Sequence, residues 1–114
     1  MRLETQTQNG KVVISVKEER LDAHNSSELK EHILKTLEEG GRDLVVVLSD
    51  VKFIDSSGLG ALLSGYKNAS QRSGTLVLSS LQPRVLSMFE LTRLNRVFEI
   101  YPRLQDALSS QGVS

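Results

Sequence analysis

The stretch Leu44-Val45-Val46-Val47-Leu48, followed after four residues by Phe53-Ile54-Asp55-Ser56-Ser57-Gly58-Leu59-Gly60-Ala61-Leu62-Leu63, decides how this chain folds. Five successive apolar residues, mostly β-branched, read as a strand buried on both faces and therefore as the centre of a sheet. The second run changes period. From Ser56 to about Gln71 the apolar residues Leu59, Leu62, Leu63 and Tyr66 recur at helical spacing, and Gly74 stops the helix. A buried strand feeding an amphipathic helix is half of a parallel crossover unit.

Working outward, the same alternation continues on both sides. Leu3 to Gln8 and Val12 to Val16 alternate weakly about Asn9-Gly10, a hairpin turn signal. After a polar connector, Asn25-Ser26-Ser27-Glu28 reads as a capping box, opening a helix with Leu29, Ile33, Leu34 and Leu37 on one face and Gly40-Gly41 as its stop. Beyond the central helix come a strand at Thr75 to Ser79, a third helix with Pro83 in its first position and Val85, Leu86 and Phe89 inward, an edge strand at Val97 to Tyr101, and a short helix at Leu104 to Leu108. The expected fold is α/β: one domain over residues 1–114, a mixed and mostly parallel sheet with an N-terminal hairpin, and about four flanking helices. Only the last few residues are expected to fray.

Composition removes several functions. The 14 basic and 14 acidic side chains of the 114 residues cancel and are interleaved, leaving no field to hold nucleic acid or an anionic membrane. Cysteine is absent, so there is no thiolate metal site or cysteine nucleophile, and no histidine cluster suggests a metal. No secretory signal is evident at the start, and no run nears the roughly 18 apolar residues that span a bilayer. A cytoplasmic protein without cofactor, monomeric when free, is the expectation.

The chemistry-bearing segment is the junction Asp55-Ser56-Ser57-Gly58. Asp55 and Ser56 are both N-cap residue types, yet a cap needs one side chain and three polar ones stand in succession. Gly58 and Gly60 each cost about 1 kcal/mol against alanine in a helix, a cost that close approach by another backbone or a partner would offset. Ser57, Ala61, Ser64 and Asn68 form a second, small-residue stripe, fit either for tight helix packing or for docking a protein. A phosphoryl group on Ser56 would sit at the positive end of the helix dipole, and its charge of about −1.5 to −2 beside Asp55 would break a close interface.

This junction, preceded by an apolar strand and by the earlier Leu21-Asp22 connector, resembles the STAS domain of bacterial anti-sigma factor antagonists over nearly the whole chain. The resemblance implies that Ser56 is the phosphoacceptor. It implies that the unphosphorylated protein binds an anti-sigma factor serine kinase and releases its sigma factor, and that a metal-dependent serine phosphatase reverses the modification. Asp22, Ala23, His24 and Asn25 would then share the partner surface with Asp55, Ser57, Gly58, Ala61, Ser64 and Asn68. Many relatives carry glycine before the Leu-Asp pair, where this chain has Glu19-Arg20.

Two other classes compete. Ser56, His24 and Asp22 or Asp55 could be arranged as a hydrolase triad, but the junction is not a Gly-x-Ser-x-Gly elbow and the chain is short for a lid and substrate pocket. No catalytic residue is therefore expected. A STAS docking subunit of a lipid-transport or other signalling complex, without a phosphorylation cycle, is the alternative use of the same domain; an intact acceptor hydroxyl favours the switch.

Overall fold

The computed structural model describes residues 1–109, so the expected fraying of the C-terminal tail lies outside the described residues. In chain order the elements are β1 (Leu3–Gln8), β2 (Lys11–Val16), β3 (Arg20–Leu21), α1 (Ser26–Glu38), β4 (Asp43–Val47), β5 (Phe53–Ile54), α2 (Ser56–Gln71), β6 (Thr75–Ser79) and α3 (Pro83–Leu91). A 3-10 turn at Leu94–Arg96, β7 (Ile100–Tyr101) and α4 (Leu104–Ser109) complete them. The five-stranded sheet runs β1-β2-β4-β6-β7, antiparallel in the hairpin and parallel elsewhere, with β4 at its centre as its apolar run requires. Asn9 and Gly10 both take positive φ, 54° and 77°, the conformation of a two-residue turn whose twist matches the strands it joins.

Register sorts the core into two faces. Val13, Val45 and Val77 lie in one cross-strand row and pack with Ala107 and Leu108 of α4. The adjacent row, Ile14, Val46, Leu78 and Ile100, faces the main core, where Leu29, Ile33 and Leu37 of α1, Leu59 and Leu62 of α2, and Val85 and Phe89 of α3 are buried. The fold is the α/β arrangement expected, with four helices among the described residues.

Several local expectations are corrected. Asn25 does not cap α1: its Oδ1 accepts from the Asp22 N–H at 3.0 Å and its Nδ2 donates to the Arg20 carbonyl at 2.8 Å, both back into the connector. Glu28 pairs instead with the N-terminal amine at 3.2 Å. The connector also contains strand β3, which pairs in parallel with β5 as a second, two-stranded sheet. The last strand is only Ile100–Tyr101, because Phe98 is drawn into the core edge-to-face with both Tyr66 and Phe89, at 5.4 and 5.6 Å between ring centres. Leu34, Leu63 and Tyr66 are half-buried, while small residues, Gly65 and Ala69 among them, fill the buried side of α2. The left-handed residue after α2 is Ser73, φ 62°; at Gly74 a β-carbon would collide with the Arg42 backbone.

Candidate functional site

Asp55 is the N-cap of α2. Its extended backbone lets Oδ1 accept from the N–H groups of Ser57 at 2.9 Å and Gly58 at 3.1 Å, leaving no capping task for its neighbour. Ser56 is the first residue of the helix, is exposed, and its hydroxyl bonds to no other described residue. Ser57 is half-buried and one step further into the turn.

Gly58 explains itself by contact. A β-carbon there would lie 2.5 Å from the Leu21 carbonyl oxygen and 2.7 Å from the Ile54 side chain, so only glycine lets the first turn of α2 press against β3. The Asp55 N–H donates to the same carbonyl at 3.3 Å, and Leu21 pairs with Ile54 across the small sheet. Main-chain contacts thus place the 22–25 loop beside the 55–58 junction, two segments far apart in sequence. Gly60, by contrast, has open space around it.

The loop is organised about Asp22. Its Oδ1 accepts from the His24 N–H at 3.0 Å, its Oδ2 pairs with Arg20 Nε at 3.2 Å, and its main-chain carbonyl accepts from Ser26 at 2.8 Å. The His24 N–H first, with Arg20 and His24 adding positive charge, holds the Asp22 carboxyl below the usual carboxylate range. The His24 ring, 95% exposed, stands 3.7 Å from the same carboxylate; Ala23 is also exposed and Asn25 half-buried.

The small-residue stripe divides. Ala61 is only 5% exposed and belongs to the core, so for this residue tight packing displaces the docking role expected of it; Gly58 is likewise buried. Ser64 and Asn68 keep some surface, but the Asn68 amide donates to the Ser64 carbonyl at 2.8 Å and its oxygen accepts from Arg72 at 3.3 Å. The exposed site therefore centres on Asp22–Asn25, Asp55, Ser56 and Ser57, with Ser64 and Asn68 further along α2.

Two residues of this surface, Arg84 and Met88, escaped the sequence. The Arg20 guanidinium lies 4.1 Å above the Phe53 ring, and Phe53, Ile54, Asp55 and Ser56 share a cleft of about 260 Å³ with Arg84 and Met88 of α3. Only the fold brings α3 to the junction; no spacing in the sequence reports it. No hydrogen bond joins Ser56 to His24 among the described residues, and none of them form a group of three or more side chains that could hold a metal. No described helix is long and apolar enough to cross a membrane.

Comparison with known proteins bears on the fold and the family. The anti-sigma-B factor antagonist of Listeria monocytogenes is 34% identical over 80 residues, covering 70% of each chain, and that of Staphylococcus aureus is 30% identical over 100 residues, covering 88% of this chain and 92% of its own. The crystal structure of an anti-sigma factor antagonist from Mycobacterium paratuberculosis superimposes with a TM-score of 0.85 at 28% identity, over 95% of this chain and 91% of the other. The family model for the STAS domain matches residues 2–107, and with a match across nearly its whole length this chain belongs to the STAS domain family.

Proposed function

We infer that this protein is an anti-sigma factor antagonist that works by partner switching. Unphosphorylated, it binds an anti-sigma factor that is also a serine kinase, and the sigma factor is released. Phosphorylation of Ser56 breaks that contact, and a metal-dependent phosphatase restores it. The observation that carries the reading is the division of labour at the junction. Asp55 alone caps the helix, so the exposed Ser56 hydroxyl has no structural duty and is open to a kinase. The relatives named anti-sigma-B factor antagonists support the same reading.

The chain acts by contact rather than catalysis. Asp55, the carboxylate nearest in sequence to Ser56, is spent on backbone amides, and the His24 ring faces Asp22. A phosphate would add a charge of about −1.5 to −2 next to Asp55 and across from Asp22, repelling an acidic or desolvated partner surface while the helix dipole tolerates it. Ser56→Ala is expected to abolish labelling by the cognate kinase and ATP while keeping the fold and kinase binding; Ser56→Asp is expected to bind the kinase weakly. Mass spectrometry that finds the phosphate on Ser57, or normal labelling of Ser56→Ala, overturns the assignment. Chemical-shift perturbations by the kinase confined to the α4 side of the sheet would exclude the proposed surface.

A further inference from the structure

The cleft at the junction holds a cation whose position the fold does not explain. Arg84 is the second residue of α3, directly after Pro83, where the helix dipole disfavours positive charge, and no acidic residue stands in that turn to compensate. It is exposed and has neither an ion pair nor a hydrogen bond among the described residues. Arg20, stacked on Phe53, is already committed to Asp22 and to the ring face. The cleft that Arg84 lines is shared with Phe53, Ile54, Met88, Ser56 and Asp55, and its lining is mostly apolar.

We propose that Arg84 is the counter-ion of phosphorylated Ser56, closing a charge-assisted clamp between the start of α2 and the start of α3. This rests on Ser56 being the phosphoacceptor. A guanidinium presents a fork of N–H donors that matches phosphate oxygens two at a time, and the apolar lining of the cleft strengthens the pair by excluding water from one side. Asp55 offers its own negative charge to the cleft, but its Oδ1 is held by two backbone amides, which leaves the phosphate the better partner for the arginine. Closing the clamp carries the Arg84 side chain across the mouth of the cleft. Phosphorylation then changes the surface twice: it adds charge, and it covers the half-buried Phe53 and Met88, which the unmodified protein leaves partly open to a partner's apolar side chain.

The test installs phosphoserine at position 56 of the full chain during synthesis, so that no kinase is needed, and follows the phosphorus resonance against pH. In the otherwise unchanged protein the second ionisation is expected to fall by about half a unit or more below its ordinary value near 6, because a close cation favours the dianion. In Arg84→Gln it is expected to return toward that value. Lys11→Gln, which removes one positive charge at the opposite end of the sheet, is expected to leave it unmoved. The Met88 methyl carbon is expected to shift on phosphorylation in the parent and not in Arg84→Gln. Equal ionisation in the parent and Arg84→Gln, or equal displacement by Arg84→Gln and Lys11→Gln, overturns the clamp. Because the phosphate is built in, either result leaves the acceptor assignment intact, and a kinase that fails to label Ser56 leaves the clamp intact.

Discussion

At the scale of single residues, the junction separates tasks that adjacent serine and aspartate side chains could have shared. Asp55 satisfies two amides of the first turn, whereas Ser56 satisfies none. Asp55→Ala is therefore expected to cost about 0.5–2 kcal/mol and Ser56→Ala only a few tenths, read from urea unfolding midpoints; equal losses would mean that the hydroxyl shares the capping. Two of the three glycines of the same helix, Gly58 and Gly60, give a sharper contrast, because the sign changes. Gly58→Ala drives a methyl group into the Leu21 carbonyl and is expected to destabilise by about 1–3 kcal/mol. Gly60→Ala meets open space in a helix interior and is expected to stabilise by up to about 1 kcal/mol. A Gly60→Ala protein that is less stable than its parent would show that this position serves something other than the helix.

Among elements, the 22–25 loop behaves as one hydrogen-bonded unit hung from β3. Its aspartate has a folded-state pKa lowered below the unfolded value, so the stability it lends is complete above about pH 4 and is lost as the pH falls through the lowered value. Protection of the His24 and Asn25 amides, taken relative to the intrinsic exchange rate at each pH, is expected to fall on acidification through that range, and Asp22→Asn, which accepts but carries no charge, is expected to flatten the dependence. Protection that stays constant down to global acid unfolding would remove Asp22 from the loop's support. The reach of the sequence is visible in the same region. The hairpin, β4, α2 and the cap at Asp55 declare themselves through length and periodicity, but β3 is two residues long, too short for any alternation, and is visible only once β5 lies beside it. Asn25 misleads for a related reason: its side chain suits either a helix cap or a turn, and the carbonyl of Arg20 and amide of Asp22, both local, win. Arg84 reaches the site from 28 residues away, by tertiary packing alone.

For the molecule as a whole, the two sheet faces are unequally covered. Three helices bury one face, while α4 alone lies against Val13, Val45 and Val47. Leu108, 7% exposed, is the largest buried side chain that α4 contributes there, and Leu108→Ala is expected to cost about 2 kcal/mol, the low end for a buried leucine because the cluster is small and can relax. Since α4 contacts β4, β6 and β7 and lies away from the junction, labelling of Ser56 in the folded Leu108→Ala protein is expected to match the parent; a parallel loss of labelling would tie the tail helix to the switch. The small sheet joining Leu21 to Ile54 has a consequence of another kind. Much of the tie between the two surface segments is made by peptide groups, which every non-proline residue supplies alike, so the exposed side chains at positions 23 and 24 are not what holds the segments together. Those positions are free to diverge after a gene is duplicated, and copies can come to address different listeners while each inherits the same switch unchanged.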